Sequence, residues 1–235
     1  MRLRLDKYLA DMGLGTRSEV KKAITKGLVQ VNGTVVKKPE CKVDTETDEI
    51  LHQGEPVGYT EYEYYMLNKP AGVISATEDR KERTVIDLID SRRRGDLFPV
   101  GRLDKDTEGL LLITNDGALA HRLLSPKKHV DKVYYARIQG RVTDADADAF
   151  ARGLDIGDEK RTLPAGLNIL DSGEISEIRV TIQEGRFHQV KRMFQAVGKE
   201  VIYLKRLQMG GLKLDENLCT GAYRELTKEE IDKLC

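Results

Sequence analysis

Several charged side chains stand directly in front of an apolar stretch in the string GRLDKDTEGLLLITNDG, which runs from Gly101 to Gly117. Four consecutive aliphatic residues followed by Asn-Asp-Gly predict a strand that is buried on both faces and ends at a sharp turn. Arg102 and Asp104 precede that strand two positions apart, so an extended backbone would point both side chains to one side. A guanidinium beside a carboxylate keeps the carboxylate ionised, and an ionised carboxylate can act as a nucleophile or a base.

The same string has a purely structural interpretation. Asp104, Asp106 and Thr107 are residue types that cap turns and short helices. For an arbitrary sequence, capping is the favoured role of such residues. Spacing alone therefore leaves both alternatives open.

The complete string resembles the active-site motif of the RsuA-like branch of the RNA pseudouridine synthases. In that family the Asp of the GRLD segment is the catalytic nucleophile, and the matching residue here is Asp104. The resemblance implies an isomerase that breaks the bond from the ribose to N1 of uracil and remakes it to C5. It also implies that Arg102 fills the gap left by an extruded nucleotide or holds a phosphate.

Two further motifs match the same family. The segment KVY resembles the motif that places an aromatic ring over the target base, which implies this role for Tyr134. The turn NKPAG resembles the family's first motif, which implies that Lys69 supports the site or contacts phosphate. Without the resemblance, NKPAG would be merely a turn.

A basic segment, EGRFHQVKRMFQAVGKEVIYLKRL, resembles the family's last motif. Its apolar periodicity predicts an amphipathic helix followed by a strand, and an ordinary helix with a basic outer face is the alternative. The resemblance implies that Lys191 forms an ion pair with the catalytic aspartate, with Arg186 and Arg192 as substitutes that could also contact RNA. It implies that Leu204 packs beneath the site. His188 alone is more often structural than catalytic.

The N-terminal segment is strongly basic, with ten Lys or Arg against four acids in residues 1–43. Its patterns predict two short helices followed by a hairpin at Asn32-Gly33. The segment resembles the alpha-L RNA-binding module. The resemblance implies that the second helix faces RNA, with phosphate contacts from the following residues: Arg17, Lys21, Lys22 and Lys26.

The 235 residues are expected to form two unequal domains, an alpha-L module with linker over 1–58 and a catalytic domain over 59–235. The fold class is α+β, and the resemblance implies a mixed, mostly antiparallel sheet with flanking helices in the catalytic domain. The triplet Arg92-Arg93-Arg94 is either a solvated face or part of an electrostatic track for RNA.

Composition excludes some classes of protein. Cys41, Cys219 and Cys235 form no zinc-ligand spacing, and the chain needs neither a metal nor another cofactor for the implied isomerisation. No window approaches the roughly 18 apolar residues of a membrane span, and no signal peptide is apparent, so no membrane partner is expected. These features predict a cytoplasmic protein, and a monomer is expected.

The expected partner is ribosomal RNA. Segments near the C-terminus, including LKRLQMGGLKLDENLCTGAYREL, favour the small-subunit enzymes of the branch and therefore 16S rRNA, or a small-subunit assembly intermediate. In the family that target is uridine 516. The alternatives are a 23S rRNA uridine, a non-catalytic ribosome-assembly protein, and a glycoside-type hydrolase that uses Asp104 and Asp106 as its two carboxylates.

Overall fold

A computed structural model describes residues 1–125 and 128–234. Pro126, which was predicted to end a helix, and Cys235, the third thiol, lie outside the described residues. The described chain divides into two compact units, Met1–Glu63 with Asp90–Leu97, and Tyr64–Ile89 with Phe98–Cys235. The domain limits 1–58 and 59–235 remain a prediction.

Helices of four residues or more occur in both units. Their bounds are α1 Leu5–Asp11, α2 Arg17–Thr25, α3 Gly117–Leu124, α4 Asp144–Ala151, α5 Gln189–Ala196 and α6 Lys228–Asp232. A short 3-10 helix covers Ile86–Leu88. No described helix is long and apolar enough to cross a membrane.

The strands of the first unit are β1 Arg2–Arg4, β2 Val29–Val31, β3 Thr34–Val35, β4 Lys42–Asp44, β5 Ile50–His52 and β6 Glu55–Pro56. The strands of the second unit are β7 Tyr64–Lys69, β8 Phe98–Pro99, β9 Glu108–Thr114, β10 Lys132–Gln139, β11 Gly166–Asp171, β12 Ile175–Ile182, β13 Glu200–Met209, β14 Leu212–Lys213 and β15 Tyr223–Glu225.

The first unit has the predicted two helices and hairpin. Thr16 caps α2 through a reciprocal pair of hydrogen bonds with Glu19, and Asn32 and Gly33 adopt the positive φ angles of 50° and 75° that a tight hairpin requires. Residues 2–4 pair with β4 as a strand, so the first helix begins only at Leu5. Apolar side chains of both helices and of β2, β4 and β5 form one core.

Arg94 is an unexpected part of this first unit. Its side chain is only 4% exposed, and its guanidinium forms ion pairs with Asp96 at 2.6 Å and Asp11 at 3.7 Å. Arg93 donates from Nε to Glu63 at 2.7 Å. The prediction of a solvated face or an RNA track is therefore wrong for Arg94, whose charge is used inside the fold.

The second unit is built on one mixed sheet, with the strand order β11-β12-β10-β13-β9-β7-β15 and with β14 and β8 attached to β13 and β9. Among the described strands only β9 and β13 pair in parallel, so the prediction of a mostly antiparallel sheet is confirmed. As predicted, β9 is fully buried over 109–114.

Alternation along β10 decides which side chains face the site. Tyr134, Ala136 and Ile138 are buried, whereas the residues between them are partly or fully exposed. The helix predicted in the first part of the basic segment is α5, whose buried face carries Val190, Met193 and Phe194. The Phe194 ring packs against that of Phe150 from α4, with centroids 4.9 Å apart.

Candidate active site

Asp104 lies in a tight turn that leads into the central strand β9. The backbone N–H of Thr107 donates to the Asp104 carbonyl at 3.0 Å, which closes the turn. The Asp104 side chain is 29% exposed at the surface of a cleft. The structural interpretation of this string as a turn and the functional one are therefore compatible.

A buried lysine holds this turn from below. Lys69, at the end of β7, is 0% exposed, and its ammonium donates to the carbonyls of Asp104 at 3.1 Å, Lys105 at 3.3 Å and Thr107 at 2.9 Å. Burial lowers the pKa of Lys69 to about 8, against the opposing effect of the nearby carboxylates of Asp106 and Asp104. Of the two roles implied for Lys69, support of the site fits these contacts, and contact with RNA phosphate is wrong.

Lys191 on α5 and His188, the residue just before that helix, approach the turn. Lys191 Nζ is 3.8 Å from Asp104 Oδ2, and it lies 2.7 Å from each carboxylate oxygen of Asp106. His188 Nε2 is 3.5 Å from Asp104 Oδ1. The predicted partner Lys191 thus lies beside Asp104, but it shares its charge with a second carboxylate.

Arg102 does not form the predicted pair with Asp104. The segment before β9 is irregular rather than extended, so the two side chains are not held to one side by a strand. Within the described chain, the basic side-chain atoms near the Asp104 carboxylate are His188 Nε2 at 3.5 Å and Lys191 Nζ at 3.8 Å. Arg102 is exposed at the rim of the same cleft, where a polyanion can reach it.

Tyr134 and Leu204 line the cleft beside Asp104, as the sequence predicted. The two side chains come from the adjacent strands β10 and β13 and are 8% and 6% exposed. The enclosed space, including its mouth, is about 430 Å³. A flat phenol ring and an aliphatic side chain beside an aspartate form a pocket suited to a planar base.

Two arginines that were predicted to contact RNA, Arg186 and Arg192, form hydrogen bonds and ion pairs within the protein. Arg186 donates to the carbonyls of Lys160 at 2.6 Å and Arg161 at 2.8 Å and pairs with Glu184 at 3.0 Å. Arg192 pairs with Asp158 and donates to the Ile156 carbonyl at 3.1 Å. These contacts tie the segment 156–161 to Arg186 and to α5. The side chains of Arg186 and Arg192 remain 24% and 23% exposed and Arg186 lines the cleft, so contact of these arginines with RNA stays a prediction.

The four basic residues of the N-terminal segment that are predicted to contact RNA lie on or just after α2, and they divide into two pairs. Arg17 and Lys21 approach the buried carboxylate of Asp6 at 3.5 and 3.9 Å. Lys22 and Lys26 are exposed and form no salt bridge with any described residue. The free positive charge of α2 therefore rests mainly on Lys22 and Lys26.

Sequence reasoning missed His188 and Phe187. His188 immediately precedes α5 and has a left-handed φ of 47°, a backbone conformation that is uncommon for residues other than glycine. That conformation turns its ring toward Asp104, and the Phe187 ring stacks on it with centroids 3.8 Å apart. The only signal in the sequence is that two aromatic rings, Phe187 and His188, are adjacent just before the helix. A left-handed backbone angle at a residue other than glycine cannot be predicted from the sequence.

The charges of the turn argue against a two-carboxylate hydrolase. Such an enzyme needs one protonated carboxyl as its general acid. The hydrogen bonds from Lys191 hold the pKa of Asp106 below its usual range, so this carboxyl stays ionised.

Within residues 1–125 and 128–234, no cluster of three His, Cys, Asp or Glu could hold a metal ion.

Comparisons with known proteins agree with this geometry. The family described as RNA pseudouridylate synthase matches residues 63–196, and the S4 domain family matches residues 3–50. The chain is 50% identical to the Bacillus subtilis protein named "Uncharacterized RNA pseudouridine synthase YtzG" over 99% of this chain and 98% of that protein. It is 42% identical to the Haemophilus influenzae "Ribosomal small subunit pseudouridine synthase A" over 99% of both chains. A crystal structure described as a pseudouridylate synthase superposes with a TM-score of 0.70 at 42% identity, covering 99% of this chain and 100% of the other.

Proposed function

We propose that this chain, which belongs to the RNA pseudouridylate synthase family, acts on uridine 516 of 16S ribosomal RNA. We further propose that Asp104 is the nucleophile of the reaction. The observation that carries the proposal is the Asp104 carboxylate, held between His188 and Lys191 in the pocket that Tyr134 and Leu204 line.

The isomerisation needs a nucleophile that is also a good leaving group. A carboxylate oxygen of Asp104 attacks C1′ of the ribose as the bond to N1 of uracil breaks, which leaves a glycosyl ester and a uracil anion. The uracil rotates in the pocket, and C5 attacks C1′ and displaces the carboxylate. The proton on C5 is then lost and N1 gains one, so that no atom or electron is exchanged with a co-reactant.

The other pocket residues act on the base and on charge. Tyr134 stacks on the extruded uracil and replaces the stacking that the base loses on leaving the RNA. Lys191 lies near the Asp104 carboxylate and stabilises its negative charge when it leaves C1′. Arg102, at the rim, contacts the phosphate backbone or occupies the space that the flipped nucleotide vacates.

The choice of 16S rRNA is supported by the relatives. The Haemophilus influenzae protein named for the ribosomal small subunit matches this chain over nearly all of both lengths, including the N-terminal unit. The substrate is then a small-subunit RNA or an assembly intermediate, encountered by a monomeric protein in the cytoplasm. The N-terminal unit supplies affinity for phosphate and the pocket supplies the chemistry.

Incubation of transcribed 16S and 23S rRNA with the protein tests the substrate. Pseudouridine would be mapped by carbodiimide adducts and primer extension, and we expect a single new stop on the 16S transcript. A new stop on the 23S transcript alone would overturn the assignment to 16S rRNA. If no new stop is found on either RNA or on a partly assembled small subunit, the protein is an RNA-binding protein without this activity.

Replacement of Asp104 tests its role as nucleophile. Asp104→Asn keeps the shape of the side chain and removes its charge, so we expect a loss of at least about 10³-fold in kcat with the dissociation constant for RNA unchanged. Asp232→Asn, an exposed position on α6, makes the same chemical change as a control. Turnover by Asp104→Asn near the wild-type rate would remove Asp104 from the mechanism.

A further inference from the structure

Phe187 is the most exposed large apolar side chain in the described part of the chain. It is 76% exposed, whereas the other exposed side chains of this kind are 38–49% exposed. An isolated exposed apolar side chain needs no explanation, but this ring lies flat on the imidazole of His188, with an angle of 19° between the planes. One face of a fixed aromatic stack is thus presented to solvent beside the catalytic carboxylate.

The position of Phe187 differs from that of Tyr134. Tyr134 lines the narrow pocket, and Phe187 lines a wider adjoining cleft with an open volume of about 1730 Å³. Arg102, Asp104 and His188 line both spaces. A nucleotide whose base enters the narrow pocket must therefore leave its neighbours along the chain in the wider cleft.

We propose that Phe187 is a stacking platform for the nucleobase next to the target uridine, and that it thereby selects how the RNA strand enters the site. This proposal rests on the proposed function. Extrusion of the target base unstacks its neighbours, and an exposed aromatic ring can replace one lost contact for any base. His188 supports the ring from behind, so that the incoming base extends a stack that already exists. Arg102 lies at the boundary of the two spaces, where the phosphate between the two nucleotides must pass.

A single tryptophan can report this contact directly, because the chain contains no tryptophan. In Phe187→Trp, binding of a 16S rRNA hairpin that contains the target uridine is expected to quench the tryptophan emission. An abasic nucleotide on one side of the target should abolish the quenching, whereas one placed several nucleotides away should not. Unchanged emission while fluorescence anisotropy shows that the RNA is bound would overturn the proposal.

Steady-state kinetics give a second readout. Phe187→Ala should raise KM about 5- to 150-fold, as expected for the loss of one base–aromatic stack, and leave kcat within a few-fold of wild type. Phe187→Tyr should restore KM, and the abasic substrate should bring wild type and Phe187→Ala to the same KM. Leu170→Ala, an exposed position on β11 outside both spaces, is the control for loss of apolar surface.

These outcomes separate the two proposals. Quenching without isomerisation would refute the proposed activity and keep the stacking contact. Isomerisation with an unaltered KM in Phe187→Ala would refute the stacking platform and keep the activity. A lowered melting temperature in Phe187→Ala would indicate a structural role, which the exposure of the ring argues against.

Discussion

Lys191 stands between two carboxylates whose surroundings differ. Asp106 receives both short contacts, but its side chain is 70% exposed, whereas that of Asp104 is 29% exposed. Ion pairs at an exposed carboxylate contribute little, since water and salt screen them. RNA that covers the cleft would exclude water from Asp104 and strengthen its attraction to Lys191. Asp106 therefore keeps the Lys191 ammonium close to Asp104, but its own ion pair with Lys191 is weak enough for the ammonium to move to Asp104.

Substitutions at these two positions should have unequal effects. Lys191→Met is expected to lower kcat about 10²-fold, because Asp104 loses a charge that stabilises it as the leaving group. Asp106→Asn is expected to change kcat less than about 10-fold, because Lys191 is then free to move to Asp104. Single-turnover rates on the 16S hairpin would measure both.

Lys191→Arg is the matched control for charge in that comparison. Retention of most of the rate in Lys191→Arg would show that the charge acts, and loss in all three variants would show that the packing around α5 is at fault. A greater loss in Asp106→Asn than in Lys191→Met would contradict the view that Asp106 only holds the ammonium.

At the scale of elements, the turn before β9 is held by β7 as well as by its own hydrogen bond from Thr107 to Asp104. Lys69 projects from the end of β7 and donates to carbonyls of the turn, and the registry of β7 with β9 places Lys69 opposite Gly109. Gly109 has a φ of 98°, and a Cβ there would lie 2.3 Å from the Arg206 carbonyl of β13. The three strands can therefore approach closely only with glycine at this position.

The pKa of Lys69 gives a pH dependence of stability. In the folded protein it is about 8, below the ordinary lysine value of 10.5, so between these values the unfolded chain binds more protons than the folded one. The contribution of Lys69 to the free energy of unfolding should therefore rise as the pH increases from 8 to about 10. The buried ammonium costs stability below pH 8, and that cost is relieved as the group loses its proton.

Urea unfolding of wild type and Lys69→Met at several pH values tests this. The free energy of unfolding of the wild type minus that of Lys69→Met should increase from pH 8 to pH 10, because only the wild type is relieved of the buried charge. Lys105→Met removes a charge from the same turn, but its ammonium belongs to a side chain that is 53% exposed, so it serves as the control. A difference that is flat over this range, or that shrinks, would contradict the placement of Lys69 as a buried cation.

Sequence predicted what local patterns determine. The aliphatic run predicted β9, the periodic apolar residues predicted α5, and Asn32-Gly33 predicted the hairpin. Each of these elements is determined by residues that are close together in the chain. The placement of Tyr134 and Leu204 at the site was predicted from the resemblance to family motifs.

What sequence missed depends on distant contacts. A lysine is ordinarily exposed, so nothing local predicts that Lys69 is buried under carbonyls from residues 104–107. The inclusion of residues 90–97 in the first unit, with Arg94 buried there, likewise follows from pairing with acids far away in the chain. The competition of Asp106 for Lys191 needs side-chain positions that no motif encodes.

At the scale of the whole molecule, a net charge of zero conceals an uneven distribution. The first unit buries Asp6 completely, and hydrogen bonds from Arg4 hold the pKa of that carboxyl below its usual range. Asp6 partly neutralises Arg17 and Lys21, which face it across the helices. The electrostatic attraction for RNA that is available from α2 should therefore come mostly from Lys22 and Lys26.

The salt dependence of RNA binding tests this assignment without disturbing the fold. Each phosphate neutralised by a lysine contributes roughly 0.7 to 0.9 to the slope of log K against log salt concentration, so Lys22→Gln with Lys26→Gln should reduce the slope by about 1.5. The double variant Lys228→Gln with Lys233→Gln removes the same charge from the C-terminal helix and should leave the slope unchanged. Equal slopes for wild type and the α2 variant, or equal reductions in both double variants, would show that α2 does not contact phosphate and that only the overall charge of the chain matters.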